Sequence, residues 1–325
     1  MKFIDLHADT LKYTSLKGID ALMQNYQTQL DIQKLIDGEA MAQFLSVSML
    51  SDDQFEALGR PVIEEWQYIE ELQSYLQNVL REYDNHISFG SNYDTLASIQ
   101  MANKISVFLS LKDGRAIGEE IDNVERLYNM GFRSITVAGN EENSLAFPSS
   151  DQQTVMRKGL KTLGFEVVER MNDLGMLIDV TGLSDGGFYD VIETSQQPIV
   201  ATHSSVRELT HDLSSLTDDM IKKIANSGGV VGLTFTGDFL SDLDGNKKVT
   251  LSYLKQQLDH IRNIGGADVI ALGSNFDGGM MVSEFDGLDK MNRLFDLLWH
   301  QGWDYGTIEK LAFQNAMRVI RDVMK

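Results

Sequence analysis

Short runs of apolar and β-branched residues alternate along the chain with longer stretches of helical periodicity. Several of these runs are continuously apolar, which is typical of strands that are buried on both faces of a parallel sheet. Eight runs are therefore predicted to be strands, namely Lys2–His7, Met41–Ser48, Ile105–Lys112, Ser134–Gly139, Met176–Gly182, Pro198–Ser204, Val230–Phe235 and Val269–Ser274.

Helical segments fill most of the intervals between these strands. Each ends at or just before a glycine, the usual C-terminal stop of a helix. They cover Asp122–Met130, Thr162–Leu174, Thr217–Asn226 and Tyr253–Ile264.

This alternation predicts an α/β fold, a (β/α)₈ TIM barrel of the metal-dependent hydrolase type, with residues 1–325 as a single domain. The alternative is a doubly wound open sheet, but no Gly-x-Gly-x-x-Gly follows the first strand. The segment near 51–103 is predicted to be a mostly helical insertion that partly covers the barrel mouth. A C-terminal helix is predicted near 307–324.

Composition restricts the partners and the compartment. The formal net charge of −20 argues against nucleic acid and against an anionic membrane surface, because both require basic patches. The chain contains no cysteine, which excludes disulfides and thiolate metal ligands. No signal-peptide pattern and no apolar run of about 20 residues is present, so we expect a cytoplasmic protein that does not span a membrane.

Polar side chains at the ends of the predicted strands carry the candidate chemistry, because barrel active sites lie at the C-terminal strand ends. His7 and Asp9 stand two residues apart at the end of the first strand and should point to the same side. Such a pair can hold a divalent metal such as zinc. His203 ends the sixth strand, and Asn275 and Asp277 follow the eighth, so these groups are predicted to converge on one rim.

The chain resembles the renal (membrane) dipeptidase family of amidohydrolase-like metal-dependent barrels over nearly its whole length. The resemblance implies a dipeptidase-like metallohydrolase with two zinc ions, whose metal-bound water cleaves dipeptides or related amides, and it also implies a homodimer. It rests on the order and spacing of Ile4–Asp9, Ala42–Val47, Leu109–Ile117, Met171–Asp179, Pro198–Ser205, Leu216–Asp218, Gly228–Gly232, Gly273–Gly278 and Asn315.

The resemblance assigns His7, Asp9 and His203 as metal ligands, but other site positions hold replaced residues. The family's bridging glutamate falls on Lys112, its strand-five histidine on Gly182, its strand-eight aspartate on Asn275, its carbonyl-polarising histidine on Gly139 and its carboxylate-binding arginine on Ser214. An ammonium has no acceptor and cannot ligate a metal, so we expect Lys112 to pair with Asp9, with Asp277 as a possible second partner. N-carboxylation of Lys112 is the alternative that would restore an anionic bridge.

Two hypotheses follow from these replacements. The first is a metallohydrolase with a degraded binuclear site and doubtful activity, in which no zinc ion or one ion binds rather than two. Asp277 would then be the candidate base, whereas Asn275 keeps an oxygen at the catalytic position without its basicity. Arg115 and Arg207 could bind an anionic, dipeptide-like small molecule. A structural salt bridge explains Arg115 at least as well, and the position of Arg207 in Val206–Leu209 is typical of an ordinary loop or helix charge. The second hypothesis is a catalytically inactive, metal-free barrel that binds a small molecule or a protein.

Overall fold

The computed structural model describes residues 1–210, 212–237, 240, 250–279 and 285–325. Within these residues the strands form one parallel sheet. They are β1 Phe3–Ala8, β2 Ala40–Ser48, β3 Ile87–Phe89, β4 Ile105–Lys112, β5 Phe132–Thr136, β6 Leu177–Asp179, β7 Val200–Ser204, β8 Val230–Leu233 and β9 Ile270–Leu272.

Eight of the strands close into a ring. The order runs β2-β1-β9-β8-β7-β6-β5-β4, and β2 also pairs with β4 from Ala42–Ser106 to Ser48–Lys112. The predicted (β/α)₈ barrel is therefore confirmed. The short β3 pairs with β4 outside the ring. It lies in a segment whose periodicity is otherwise helical, which is why the sequence pattern did not reveal it.

The predicted strands lie close to the observed ones, with one instructive difference at β6. The apolar run predicts Met176–Gly182, yet the strand ends at Asp179. The Asp179 carboxylate accepts hydrogen bonds from the backbone nitrogen of Thr181 at 3.0 Å and from its hydroxyl at 2.6 Å. This side-chain turn ends the strand, because an aspartate side chain can bond nearby backbone groups in place of sheet hydrogen bonds.

Helices surround the ring and alternate with its strands. They are α1 Leu11–Thr14, α2 Asp20–Met23, α3 Ile32–Asp37, α4 Asp52–Ala57, α5 Glu65–Glu82, α6 Tyr93–Met101, α7 Asp122–Asn129, α8 Gln153–Met156, α9 Thr162–Leu174, α10 Asp185–Thr194, α11 Asp218–Asn226, α12 Leu251–Gly265, α13 Met291–His300, α14 Tyr305–Glu309 and α15 Asn315–Val323. No helix in this described part of the chain combines the length and apolar composition that a bilayer span needs.

The segment near 51–103 contains α4, α5, β3 and α6. Its first residues reach the barrel mouth, where Ser51 and Gln54 line the cavity described below. Leu96 of α6 packs instead with Ile4 and Met41, which stand at the starts of their strands. The segment therefore extends along the barrel from one end to the other.

An apolar cluster fills the lower part of the barrel interior, and we call it the interior plug. The rings of Phe44 and Phe108 stack at its centre with their centroids 4.8 Å apart. The C-terminal α15 closes the cluster from below through Ala316 and Val319. A larger apolar core packs the outer faces of the strands against the helices. The plug leaves the upper strand ends free to carry polar groups.

Candidate active site at the barrel mouth

Strand register places Lys112 over the interior plug. Phe44 of β2 pairs with Phe108 of β4, and four residues later Ser48 pairs with Lys112. Residues four apart on a strand point to the same side. Lys112 and Ser48 therefore face the barrel interior directly above the stacked phenylalanines.

Asp9 is the centre of the polar network at the mouth. Its side chain is 2% exposed and accepts hydrogen bonds from the Ser48 hydroxyl and from Lys112 Nζ at 3.0 Å. Lys12 Nζ lies 3.7 Å from the same carboxylate and His7 Nε2 lies 3.1 Å from it. Burial alone would raise the pKa of Asp9, but the charges of Lys112, Lys12 and His7 hold it well below its usual value. Asp9 is therefore an ionised, fully surrounded carboxylate.

The two predicted histidines lie face to face. The rings of His7 and His203 stack with their centroids 3.7 Å apart and their planes inclined by 20°. Nδ1 of His203 lies 2.9 Å from the Thr202 hydroxyl, which in turn donates to Asp179 at 2.6 Å. Burial, reinforced by His7 and Lys112, lowers the pKa of His203 well below its usual value. The His203 imidazole is therefore neutral at physiological pH.

Gly182, Gly139 and Ser214, three positions at which the resemblance implies replaced residues, differ in their surroundings. Gly182 has φ +75°, and a Cβ added there would meet no atom within 4 Å, so the space beside it is open. At Gly139 an added Cβ would lie 2.4 Å from the carboxylate of Asp113. Ser214 donates its hydroxyl to Asp212 at 2.7 Å. The mouth is therefore open beside Gly182, holds the Asp113 carboxylate against Gly139, and holds the Asp212 carboxylate against Ser214.

Asn275 is fully buried, and its φ of 54° lies in the left-handed region that asparagine tolerates. Its Nδ2 donates to Thr236 at 2.8 Å. Its Oδ1 has no hydrogen-bond partner among the described residues. A carboxamide is not basic, so Asn275 cannot act as a general base here.

Asp277 ties two loops together. It accepts hydrogen bonds from the Thr10 hydroxyl at 2.5 Å and from the Gln29 backbone nitrogen at 2.8 Å. Burial raises its pKa to about 6. Lys112 forms its ion pair with Asp9, and the described ion pairs include none between Lys112 and Asp277. The Asp277 side chain therefore connects its own loop to the segments that contain Thr10 and Gln29.

Both candidate arginines make contacts within the protein. Arg115 Nε lies 2.9 Å from Glu65, and its NH2 group donates to the Leu50 carbonyl. Arg207 forms a two-pronged contact with Asp185, at 3.0 and 2.8 Å. Arg115 lines the mouth cavity, whereas Arg207 does not. Sequence reasoning proposed both residues as substrate-binding groups, and in the structure each guanidinium already contacts a carboxylate.

The mouth cavity has a volume of about 420 Å³ and lies above the ring. Four charged residues that line it, Lys12, Asp113, Glu141 and Asp212, were not singled out from the sequence. Lys12 had one available signal, since it follows Asp9 by three residues. Asp113, Glu141 and Asp212 had none, because their positions depend on loop conformation. The lining includes Asp9, Lys12, Lys112, Arg115, His203 and Asp212.

These residues do not fit a binuclear metal centre. Two divalent ions held close together need an anionic bridge, and at the position where the resemblance implies that bridge the Lys112 ammonium contacts Asp9. The ligand atoms of His7, Asp9 and His203 are not all within 4.8 Å of one another. Within the described ranges, three side chains whose ligand atoms do lie this close together are found away from the mouth cavity. They are Glu208, Asp218 and His260.

Comparison with known proteins identifies the class. The family model of the membrane dipeptidases (peptidase family M19) matches residues 1–325. The chain belongs to this family of metal-dependent hydrolases, as its sequence motifs indicated.

Individual relatives agree with this assignment. Human dipeptidase 3 is 26% identical over 318 residues, which are 94% of this chain and 61% of the human protein. The chain thus spans less than two thirds of that relative. An uncharacterised Klebsiella pneumoniae protein from the pqqA 5′ region is 32% identical over 207 residues, 62% of this chain and 75% of that protein.

Solved structures show the same fold. A Rhodobacter sphaeroides metallopeptidase, crystallised with a phosphinate mimic of the dipeptide L-Ala-D-Ala, superposes with a TM-score of 0.89. The two chains are 21% identical, and the match covers 99% of each. The probable dipeptidase PvdM of Pseudomonas aeruginosa gives a TM-score of 0.85 at 19% identity, covering 100% of this chain and 96% of that one.

Proposed function

We propose that this member of the membrane dipeptidase family binds a small molecule at its barrel mouth without the binuclear zinc centre. The observation that carries the proposal is the contact between Lys112 Nζ and Asp9 Oδ2 at 3.0 Å. The ammonium supplies the positive charge that the buried Asp9 carboxylate requires. Efficient binuclear hydrolysis of dipeptides is not expected from such a mouth.

Electrostatics favours the ammonium over a metal pair. A unit charge pair about 3 Å apart attracts by roughly 5 kcal/mol at an effective dielectric constant of 20. A divalent ion about 3.5 Å from the same ammonium would be repelled by roughly 9 kcal/mol. Lys112 would have to leave its pocket before a metal could bind at the bridging position. N-carboxylation of Lys112 would set a second anion against Asp9, so the contact also favours the unmodified amine.

A mononuclear metallohydrolase is the second candidate, and one distance supports it. His7 Nε2 and Asp9 Oδ1 are 3.1 Å apart. Two ligands on one tetrahedral zinc ion lie roughly 3.3 Å apart, because each bond is about 2.0–2.1 Å long. This pair could therefore share a single ion if the Lys112 side chain moved aside.

Metal content decides between these candidates. Protein is purified without chelator, and bound zinc is measured by elemental analysis beside the K112E variant, which restores a carboxylate. We expect well under one zinc per chain and no hydrolysis of L-alanyl-L-alanine after zinc addition. About two ions per chain together with dipeptide hydrolysis would refute the proposal. About one ion, lost in an H7A variant and retained in an H260A variant, would establish the mononuclear alternative.

Compartment and assembly complete the proposal. The absence of cysteine supports a reducing compartment, and we place the protein in the cytoplasm. Dimerisation comes from the family resemblance alone. Light scattering coupled to size exclusion would test it, and a monomer mass of 36.5 kDa across the concentration range would contradict it.

A further inference from the structure

A groove on the outer side of the barrel lies where one strand changes partners. β2 pairs with β4 along one edge, so β3 and β5 share the other edge of β4. β3 pairs there from Ile105 to Val107, and β5 takes over from Leu109. Phe89 ends β3 against the backbone of Gly131, where an added Cβ would lie 2.7 Å from its ring. The change of partner thus leaves a gap between α5 and α7.

The gap has an apolar floor, and we call it the outer groove. Its volume of about 460 Å³ lies within the usual range for small-molecule sites. Gln73 of α5 donates a hydrogen bond to the Met130 carbonyl at 3.0 Å and so connects the two sides of the groove. The apolar side chains that line it are Leu76, Leu80, Phe89, Leu109 and Met130.

Arg133 supplies the outer groove with a fixed positive charge. Its Nε donates to the Ser91 carbonyl at 2.9 Å, and its Nη1 donates to the Tyr128 and Phe132 carbonyls, each at 2.9 Å. Its guanidinium carbon lies 4.1 Å from the centre of the Tyr128 ring. These neutral partners hold the guanidinium in place without cancelling its charge. Burial lowers the pKa of Arg133, and Tyr128 partly offsets this effect.

A second arginine lines the same groove. Arg81 is exposed on α5, and its guanidinium donates to the amide oxygen of Asn78 at 2.6 Å. The residues that line the outer groove include these two arginines and neither aspartate nor glutamate, and all of them belong to the described part of the chain. The whole chain has 48 acidic against 28 basic residues, so the groove departs in sign from the rest of the protein.

We infer that the outer groove binds a small amphipathic anion, an aliphatic carboxylate whose chain packs on the apolar floor and whose head group faces Arg133. A carboxylate accepts charge-assisted hydrogen bonds from a guanidinium, and the alkyl chain gains from leaving water. Charge and apolar surface meet in this groove, so its ligand should combine the two. None of the residues that line it lines the mouth cavity, so the inference is independent of the metal content of the mouth.

Three molecules with the same eight-carbon chain test this preference. Octanoate, 1-octanol and octylamine differ in charge, and each is titrated calorimetrically, below its micelle concentration, into the full-length protein at physiological ionic strength. We expect one octanoate per chain, bound at least about tenfold more tightly than either other molecule. The net charge of −20 favours the amine at long range, so a preference for octanoate reports local groups. Absence of octanoate binding, or equal binding of octanol or octylamine, would overturn the inference.

Variants assign the binding to the outer groove. R133Q should weaken octanoate binding about tenfold and leave octanol binding unchanged, a split that a purely structural role of Arg133 would not produce. L80E leaves Arg133 in place and adds a carboxylate to the groove, so it should abolish octanoate binding.

R126Q is the matched control for the loss of an arginine. Arg126 of α7 pairs with Glu70 at 2.8 Å and does not line the groove. R126Q should therefore bind octanoate as the wild type does. Octanoate binding that survives in L80E, or that falls as much in R126Q as in R133Q, would place the anion elsewhere and overturn the inference.

Discussion

Lys112 Nζ lies 3.0 Å from the buried carboxylate of Asp9, above a pair of stacked phenylalanines. Lys112 is 22% exposed and Asp9 is 2% exposed, so water screens this pair only in part. The two residues are 103 positions apart in the chain. The contact therefore links the first and third strands of the ring at their upper ends.

Removal of the Lys112 charge should destabilise the fold. K112M leaves Asp9 buried with the more distant Lys12 as its remaining ammonium. We expect the free energy of unfolding to fall by about 3 kcal/mol, since a buried pair loses most when one partner is removed. Urea unfolding measures the change. K112R keeps the charge and should lose less, and the D9N/K112M double variant should recover part of the loss. Wild-type stability in K112M would contradict the role of the pair.

Asp277 should make stability depend on pH. Its pKa of about 6 in the folded protein exceeds the usual 3.8, so folding favours the protonated carboxyl. This contribution is fully present below about pH 4 and is lost as the pH rises through about 6. The unfolding free energy of the wild type, compared with D277N at each pH, should fall by about 3 kcal/mol across that window. A difference that stays constant between pH 4 and pH 7 would contradict the burial of this group.

Gly182 should resist replacement because of its backbone alone. Its φ of +75° is rare for residues with a side chain, although no neighbour would touch an added Cβ. G182A should cost about 1–2 kcal/mol in unfolding free energy. G182N should cost less, since asparagine tolerates the left-handed region better. Equal destabilisation by both substitutions would indicate a steric cause in place of the backbone one.

Gly139 should resist replacement for the opposite reason. An added Cβ would collide with the Asp113 carboxylate, which Asn143 holds by a 2.9 Å hydrogen bond. G139A should cost about 1–3 kcal/mol, as overpacking does elsewhere. In the G139A background, D113G should relieve part of this loss, because it removes the colliding atoms and suits the φ of 83° at that position. D113N keeps the shape and should give no relief in the same thermal or urea unfolding assay.

The ring and the location of its mouth follow from local rules. Continuous apolar runs predict the strands, and the two-residue repeat of a strand places His7 beside Asp9. The sequence predicts that Lys112 pairs with Asp9, with Asp277 as a second partner on the same rim. The structure has the contact with Asp9. The Asp277 carboxylate is instead held by Thr10 and by Gln29, 248 residues away in sequence.

Loop geometry at the rim was not predictable in the same way. The Asp113 carboxylate lies beside Gly139, and the Asp113 backbone has a φ of 83°. Hydrophobic periodicity does not predict such a conformation. Asp212 owes its orientation to hydrogen bonds from the backbone nitrogen and the hydroxyl of Ser214. Both features depend on loop conformation, whereas hydrophobic periodicity reports only regular helices and strands.

The interior plug has an evolutionary consequence. Phe44 and Phe108 stack beneath the mouth, and α15 closes the cluster from the other side. These contacts involve none of the residues that a metal centre would use. Mutations above the plug can therefore exchange charges and loop residues while the barrel continues to fold, so the chemistry of the mouth can evolve independently of the scaffold that carries it.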